Sequence, residues 1–343
     1  MNIKQVAAQA KLSTATVSRT INGSSFVNPR TAEKVWRAVH ALGYYPNTQA
    51  RSLAAGRSRT FGLIISDIVN PFFPEIVKGF EDTAIQRGYE VMMANTNYDP
   101  HRMTLAVRRM IERKVDGVAV MTSEIDRSLT DELAKRGLSI VFLDVGKPRE
   151  RTTNIAVDYP GGIRQAVQHL VSLGHRRIGF ISGPQTLKSA RVRRSAFLHC
   201  IREFRMADTE NLVVEANHKI DGGEAAMRQL LARRHIPTAV LTSNDLSAVG
   251  ALRAISQAGL DVPSDVSVVG FDDIEISQYT SPALTTVRLS REELGRTAFD
   301  ALLELTEGTG SKGQEIVVRT SLVVRKSTAP VRSRRATSKS HSA

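Results

Sequence analysis

From Thr60 onward the sequence alternates between short apolar segments and amphipathic segments, and this alternation restricts the fold more than any other feature of the chain. Apolar runs bounded by turn residues predict buried strands, and the stretches between most of them have the length and periodicity of helices. Such alternation predicts parallel sheets with right-handed crossovers. The predicted strands are Phe61–Ser66, Glu90–Ala94, Gly117–Met121, Ile140–Asp144, Ile155–Asp158, Ile178–Ser182, Ala239–Thr242 and Val266–Gly270.

Polar residues follow many of these strands, at the edge where parallel sheets bind ligands. Carboxylates and amides there suit hydroxyl-rich ligands such as sugars, because each oxygen can accept a hydrogen bond. Turn and helix-cap chemistry also favours Asp and Asn after strands, so both explanations stay open for each residue. Gly117–Asp144 and Ala239–Asp272 end their strands in similar ways, which indicates two similar lobes. The residues concerned are Asp67, Asp144, Asp158, Asn244, Asp245, Asp272 and Asp273.

The first sixty residues carry the pattern of a helix-turn-helix. Apolar spacing predicts one helix over Ile3–Ala10, and Ser13 can cap a second over Thr14–Ile21. Asn22 and Gly23 end that helix, since both tolerate a left-handed backbone. A third helix is predicted from about Arg30 to Leu42. Its predicted inward residues are Ala32, Val35, Trp36 and Val39.

The second helix of such a motif enters the major groove of DNA with its N-terminus first. Arg19 is the only long donor on this helix, and its guanidinium suits guanine or a phosphate. A small helical bundle with an exposed Ser/Thr face is the alternative. The residues predicted to face DNA are Thr14, Ala15, Thr16, Ser18 and Arg19.

The net charge of +13 is concentrated at the two ends of the chain. Residues 1–59 carry a net +8 and residues 325–343 a net +6, which leaves −1 for residues 60–324. A compact basic N-terminus is typical of phosphate binding, although the same charge can simply aid solubility. The tail, 325–343, is predicted to be disordered. Either it adds nonspecific phosphate affinity or it has no specific role.

Several classes of protein are disfavoured by features that the sequence lacks. No apolar run is long enough to span a membrane, and the N-terminus does not read as a secretory signal. Cys200 is the only cysteine, so we expect a cytoplasmic protein without disulfides, metal or cofactor. An enzyme is disfavoured because the histidines are scattered, with no nucleophile elbow and no phosphate-binding GxxxxGK. A sugar-binding module without regulatory role and a nonspecific DNA-binding protein remain as alternatives.

The N-terminal segment VAAQAKLSTATVSRTINGSSFVNPRTAEKVWRAVHALGYYPNTQARSLAAGRS resembles the N-terminal module of the lac-repressor (LacI/GalR) family. The resemblance implies a sequence-specific transcription regulator, usually a repressor, that binds double-stranded DNA as a homodimer at a pseudo-palindromic operator. Residues that match the family signature are Ala7, Ala10, Leu12, Ser13, Thr16, Val17, Ser18, Arg19, Ile21 and Asn22.

The same resemblance assigns residues 47–59 to a hinge helix and linker. A helix this short is marginal alone, so we expect it to fold when two copies pair on DNA. Leu53 stands where the family inserts a leucine into the minor groove, although it could instead be a simple packing residue. The resemblance adds Asn22, Asn47, Arg51 and Leu53 to the predicted DNA-binding set.

Residues 60–324 resemble the effector-binding core of the family, which shares the periplasmic sugar-binding-protein fold. Matching strings include DIVNPFF, NIAVDYPGG and DVSVVGFDDIEISQYTSPALTTVRLS. His218 replaces an aromatic platform, and Arg291 stands at a position that is sometimes aromatic. The effector is therefore expected to be a sugar or a sugar acid. Together with Arg193, these two residues favour an acidic ligand, such as a uronate or a phosphorylated sugar. The effector-binding residues implied are Asn70, Phe72, Phe73, Asp144, Asp158, Arg193, His218, Asn244 and Asp272.

The predicted architecture is therefore a small all-α helix-turn-helix domain followed by an α/β two-lobed periplasmic-binding-protein-like domain with parallel sheets. The helix-turn-helix domain covers 1–46, and the two-lobed domain covers 60–324. Lobe one is expected to comprise 60–159 and 289–324, and lobe two 160–288. Closure of the lobes on a ligand would alter DNA affinity through its differential affinity for two states.

Overall fold

The structure is a computed structural model that describes residues 1–21, 26–45, 57–122, 127–145, 148–206, 212–308 and 312–331. The chain forms two compact units, which divide between Arg59 and Thr60. Within the described ranges no helix has the length and apolar character needed to cross a membrane.

The N-terminal unit consists of three helices, α1 (Ile3–Ala10), α2 (Thr14–Ile21) and α3 (Pro29–Leu42). The backbone N–H of Thr16 donates to Ser13 Oγ at 3.1 Å, so Ser13 caps α2 as predicted. The three predicted helices are confirmed. Their shared core contains Val6, Ala7, Val17, Val35, Ala38 and Val39.

One inward prediction in α3 is wrong. Trp36 is 42% exposed, whereas Ala38 is buried. Successive helical residues point about 100° apart, so the face defined by Val35, Ala38 and Val39 leaves Trp36 beside it. Hydrophobicity alone favours an inward position for this large apolar side chain, but its place on the helix lies beside the core face.

The second unit contains two six-stranded sheets, and the first runs in the order β11-β5-β4-β3-β1-β2 with all strands parallel. Helices α4 (Phe72–Arg87), α5 (Pro100–Glu112), α6 (Arg127–Lys135) and α11 (Arg291–Glu307) accompany this sheet. Its strands are β1 (Thr60–Ile65), β2 (Glu90–Asn95), β3 (Gly117–Met121), β4 (Ser139–Leu143), β5 (Thr152–Val157) and β11 (Glu315–Val318).

The second sheet has the order β12-β10-β9-β8-β6-β7 and is parallel except where β12 pairs with β10. Its helices are α7 (Tyr159–Ser172), α8 (Lys188–Glu203), α9 (Ile220–Leu231) and α10 (Asp245–Gln257), with a 3₁₀ turn at Glu275–Gln278. Its strands are β6 (Ile178–Ser182), β7 (Val213–Glu215), β8 (Ala239–Thr242), β9 (Ser267–Asp272), β10 (Thr285–Arg288) and β12 (Ser321–Val323). The second unit is therefore two-lobed, with a largely parallel sheet in each lobe, as the predicted fold class requires.

The chain crosses between the two lobes three times: after β5, between β10 and α11, and between β11 and β12. Buried apolar residues form one cluster that runs from lobe one into lobe two, including Val157, Tyr159 and Phe271. The lobes therefore share part of their apolar core near the crossings.

The C-terminal boundary of the lobes differs from the prediction. Strand β12 belongs to lobe two, because Val323 pairs with Thr286 of β10. Residues 325–331, predicted to be disordered, are also bound to lobe two: Arg325 Nη2 donates to Asp273 at 2.7 Å, and the N–H of Val331 donates to Leu173 O at 3.0 Å. The charge of this segment favours disorder, but its bonding partners in lobe two are distant in sequence and leave no local pattern. Residues 332–343 lie outside the described residues.

Candidate functional site

The carboxyl ends of strands from both sheets face one cleft between the lobes, which encloses about 530 Å³ of space, part of it open to solvent. That size suits a small ligand. Lobe one contributes residues after β1, β3 and β4, together with the start of α4. Lobe two contributes the end of β9 and the starts of α8 and α10. The lining residues are Ser66, Asn70, Phe72, Phe73, Tyr98, Met121, Thr122, Leu143, Asp144, Tyr159, Leu187, Ser189, Arg193, His218, Asn244 and Asp272.

Arg193 of α8 is the cationic side chain in this lining and is only 5% exposed. Its guanidinium lies between two rings, 4.6 Å from the centroid of Tyr159 and 4.4 Å from that of Phe271. Its Nη1 donates to Ser243 O at 2.5 Å, and its Nη2 lies 3.6 Å from Asp272 Oδ1. Ring faces and a carboxylate thus stabilise the buried charge. Arg193 Nε is buried with no hydrogen-bond partner.

Asp272 ends strand β9 and presents its carboxylate to the cleft. Burial raises the pKa of this carboxyl to about 6, against the opposing effect of Arg193 and Arg291. Its Oδ1 is buried without a hydrogen-bond partner. A buried acceptor that lacks a donor is costly, so Asp272 is available to accept a hydrogen bond from a ligand.

Asp144 follows β4 and lines the cleft from lobe one, whereas Asp272 lines it from lobe two. Its Oδ1 accepts from the N–H of Val157 at 2.9 Å, and its Oδ2 accepts from the hydroxyl of Tyr159 at 2.7 Å. Burial raises the pKa of Asp144, although these two hydrogen bonds lower it. Lys188 Nζ donates to the carbonyl of Asp144 at 2.5 Å. These contacts fix the carboxylate at the junction of the lobes.

His218 precedes α9, and its buried surroundings keep its imidazole neutral. Burial, and then the charge of Arg193, lower the pKa of His218 to about 3. Its Nε2 lies 2.9 Å from Ser243 Oγ, and its carbonyl accepts from Asn244 Nδ2 at 2.9 Å. His218 therefore contributes a polar ring to the cleft but no positive charge at neutral pH.

Four cleft residues other than glycine have a backbone in the left-handed region. The φ angles are 58° at Tyr98, 58° at Asp144, 61° at His218 and 113° at Asp272. Such conformations are costly and persist where the surrounding contacts impose them, which is common at ligand sites. All four of these side chains line the cleft and carry polar atoms.

Asn70, Phe72 and Phe73 form the lobe-one wall at the start of α4. Asn70 Oδ1 accepts from the N–H of Phe72 at 3.1 Å. The two phenylalanine rings meet edge to face, with centroids 5.2 Å apart. An apolar wall therefore lies opposite the polar groups of lobe two, an arrangement that suits a ligand with one apolar face.

The helix-turn-helix unit offers a second candidate surface. Thr14, Ala15 and Arg19 of α2 are exposed, Thr16 and Ser18 are partly exposed, and Val17 is fully buried. Ser13 and Thr16 hydroxyls lie 2.9 Å apart. The face of α2 opposite the core is thus polar and open, with one long cationic side chain.

Comparison with known proteins supports this division of the chain. Residues 2–47 match the model of bacterial regulatory proteins of the lacI family, and residues 167–328 match that of a periplasmic binding protein-like domain. The HTH-type transcriptional repressor PurR of Klebsiella pneumoniae (strain 342) is 35% identical over 330 residues, which cover 95% of this chain and 96% of the relative. The chain belongs to the lacI family of bacterial regulatory proteins.

Solved structures of transcription regulators match along almost the whole chain. The lac repressor dimer bound to operator and the anti-inducer ONPF has a TM-score of 0.87 and 33% identity, and the match covers 96% of this chain and 99% of that one. The transcriptional regulator CelR in complex with cellobiose has a TM-score of 0.72 and 33% identity, covering 95% and 99%.

Membership in the lacI family confirms the resemblance noted in the sequence. It establishes the class of function as a ligand-modulated, DNA-binding transcriptional repressor. The relatives are repressors and not enzymes, so this membership argues against the enzyme alternative.

Eight of the nine predicted effector-binding residues line the cleft, and the exception is Asp158. Asp158 instead caps α7, with its Oδ1 accepting from the N–H of Gly161 at 2.9 Å. Arg291, considered for the cleft, is also outside the lining. Asp245 is another strand-end residue with a structural role, since it accepts from Thr286 Oγ1 at 2.5 Å and from the N–H of Ile274 at 2.8 Å. Cap and turn chemistry therefore explains some of these acidic residues, and cleft geometry explains others.

Sequence reasoning missed several lining residues. Tyr159 directly follows Asp158, and Ser66 and Thr122 follow β1 and β3, so position at a strand end was the available signal. Tyr98, Leu187 and Ser189 carried no comparable signal. In the DNA-binding set, Asn22, Asn47, Arg51 and Leu53 lie outside the described residues, as does most of the predicted hinge.

Proposed function

We propose that this lacI-family protein represses transcription as a cytoplasmic homodimer on a pseudo-palindromic operator, and that a neutral sugar in the inter-lobe cleft modulates its operator affinity. The observation that carries the proposal is the cleft itself, in which polar groups of both lobes converge within a chain that also has a helix-turn-helix. A ligand that bonds to both lobes favours one relative arrangement of them, which is the requirement for a ligand-driven switch.

On the DNA side, we assign base and phosphate contacts to the exposed face of α2. Arg19 supplies a bidentate donor for guanine, and the small side chains of Thr14 and Ala15 allow the helix to approach closely. The predicted contacts of Asn22, Asn47, Arg51 and Leu53 belong to the same proposal. The net +8 of residues 1–59 supplies the sequence-independent attraction to phosphate.

A homodimer is supported by the lac repressor relative, which is a dimer bound to operator. A twofold dimer reads two half-sites of opposite orientation, hence a pseudo-palindrome. The effector unit exposes apolar side chains that a partner copy could cover. Ile276 is 47% exposed, Tyr279 74% and Met93 45%.

A neutral sugar fits the charges of the cleft better than a sugar acid does. The two acidic residues of the lining are Asp144 and Asp272, and its one arginine, Arg193, already lies 3.6 Å from Asp272. His218 is neutral, and Arg291 lies outside the lining. An anionic ligand would therefore meet carboxylates without an unpaired cation. CelR, which binds cellobiose, shows that a relative accommodates a neutral sugar.

The DNA half of the proposal is tested by a binding selection with the full-length protein on random duplexes at about physiological salt, followed by sequencing. Enrichment of one pseudo-palindrome is expected. Uniform binding without a motif, with a steep dependence on salt, would instead support the nonspecific DNA-binding alternative. Repeating the selection with each sugar described below distinguishes that outcome from a requirement for a corepressor.

The ligand half is tested by calorimetric titration with cellobiose, glucose and ribose, and with glucuronate and glucose 6-phosphate as anionic counterparts of glucose. We expect heat from at least one neutral sugar and at least tenfold weaker binding of both anionic ligands. The Asp272→Asn variant should lose the neutral sugar, whereas Asp300→Asn, an exposed position on α11, should retain it. Tighter binding of an acid than of its neutral parent would contradict the proposal.

A further inference from the structure

Arg291, the first residue of α11, is 6% exposed, although it lies outside the cleft. Its Nη1 donates to the carbonyl of Asp272 and, at 3.4 Å, to that of Leu289. Its Nη2 donates to Asp273 O at 2.8 Å and to Glu75 Oε1 at 2.7 Å. Four of the five guanidinium donors are therefore directed at defined acceptors, and only the buried Nε has none.

Two of those acceptors belong to the turn that presents Asp272 to the cleft. The backbone of this turn is unusual, with φ angles of 113° at Asp272 and 58° at Asp273. A conformation of that kind needs contacts that hold it in place. Because Arg291 binds two consecutive carbonyls with one rigid planar group, it supplies such contacts and so determines where the Asp272 carboxylate points.

The other end of the guanidinium reaches lobe one. Glu75 lies in the first turn of α4, and the residues just before it, Phe72 and Phe73, form the lobe-one wall of the cleft. Asp272 and Asp273 belong to lobe two. A single buried side chain therefore contacts the cleft-forming elements of both lobes.

We propose that Arg291 is a positioning residue that orients Asp272 in the effector cleft and transmits displacement of the Asp272 turn to helix α4. The inference rests on the proposed function, because it gives the cleft its role in ligand binding. A ligand that pulls on the Asp272 carboxylate moves two carbonyls, and the planar guanidinium passes that shift to Glu75.

Hydrogen exchange measured by mass spectrometry and NMR on the full chain, without DNA or sugar, tests the proposal. Two amides report on the two elements that Arg291 contacts. The Ile274 N–H, bonded to Asp245, reports on the Asp272 turn, and the Phe73 N–H, bonded to Asn70 O, reports on the start of α4. Arg291→Met should speed exchange at both by tenfold or more, and Arg291→Lys should restore part of the protection. The control is Arg296→Met, which removes an exposed arginine of α11 whose ion pair with Glu293 is 3.9 Å long.

Glu75→Ala separates the two ends, since it removes only the lobe-one acceptor. Exchange should rise at Phe73 and stay unchanged at Ile274. Transmission itself is tested with Asp272→Asn. As a single substitution it should alter the rate of hydrogen exchange at the Phe73 amide. Combined with Arg291→Met it should cause no further change there.

A merely structural role predicts a different result. Exchange would then rise by one common factor throughout the effector unit in Arg291→Met, including the strand amides of β1 and β3, and Asp272→Asn would leave Phe73 unchanged. Either outcome overturns the proposal. Because no measurement involves DNA or a sugar, failure here is distinguishable from failure of the proposed repressor function.

Discussion

At the scale of single residues, the cleft contains acidic groups whose burial opposes their ionisation. Asp272 is the clearest, with a pKa of about 6. Burial also raises the pKa of Asp144 in the cleft, and it raises the pKa of Asp245, which lies outside the cleft lining, well above its ordinary value. All three make the folded protein bind protons more tightly than the unfolded chain does, so each reduces stability as pH rises.

This sign gives a testable pH dependence for Asp272. The unfolded carboxyl titrates near 3.8 and the folded one near 6, so its contribution to the unfolding free energy falls between those values and is constant above. Asp272→Asn should remove that dependence. Relative to the variant, wild type should lose about 2 kcal/mol between pH 4 and pH 7. Urea unfolding at several pH values measures it, and parallel profiles for the two proteins would contradict it.

A second prediction at this scale concerns Arg19. Arg19→Ala should weaken binding to the selected operator by about 5- to 150-fold, because one bidentate base contact contributes about 1–3 kcal/mol of discrimination. Fluorescence anisotropy at fixed salt measures the affinity. Arg37→Ala, which removes an exposed arginine of α3 that pairs with Glu33 at 3.5 Å, is the control. Equal losses in both variants would show that Arg19 acts only through its charge.

The sequence predicted most of these site residues but not their environments. Position after a strand, together with family resemblance, identified Asp144, Arg193 and Asp272. It could not show that Asp158 caps a helix, because a cap and a ligand site call for the same residue at the same place in the chain. Nor could it show that Arg291 turns away from the cleft, since that depends on Glu75, which is distant in sequence.

At the scale of elements, the long helices and eight of the strands followed from hydrophobic pattern, whereas β7, β10, β11 and β12 did not. Strands β7 and β12 have three residues each, and β11 has no buried residue. Strands so short or so exposed lack a readable apolar pattern, and their partners define them. The same limit explains why the sequence pattern predicts the wrong lobe for β12.

Helices α4 and α11 meet at glycines, which suggests a stability test. A Cβ on Gly295 would lie 2.1 Å from Ile76 O, and one on Gly79 would lie 2.2 Å from Glu292 O. Helix propensity alone would make Gly295→Ala stabilising by about 1 kcal/mol. We expect destabilisation by about 1–3 kcal/mol instead, because the helices must move apart. Urea unfolding measures the sign, with Arg296→Ala as the exposed control on α11. Stabilisation would contradict the close packing.

At the scale of the whole molecule, the segment after β12 completes lobe two. Arg325 and Arg288 share the nearly buried carboxylate of Asp273, at 2.7 and 2.6 Å. Ser327 Oγ donates to Val268 O at 2.6 Å and accepts from the N–H of Thr285 at 2.8 Å. These contacts hold the last described residues against the sheet.

Two truncations test this role. A chain that ends at Val331 should keep the wild-type urea midpoint. One that ends at Val324 should lose about 3 kcal/mol or more, because it removes one partner of a buried ion pair and several strand contacts. Equal midpoints for the two truncated chains would show that 325–331 contributes nothing to the fold.

The three crossings between the lobes have a consequence for modularity. The helix-turn-helix unit is contiguous in sequence and separates from the rest at one point, between Arg59 and Thr60. Lobe two is not contiguous: its strands come from before β11 and after it. A chimera that exchanges operator specificity therefore needs one splice, whereas a chimera that exchanges half of the cleft needs two separate inserts joined in register. Recombination should consequently exchange the DNA-binding unit independently of the rest of the chain, whereas the two lobes that form the cleft should be exchanged together.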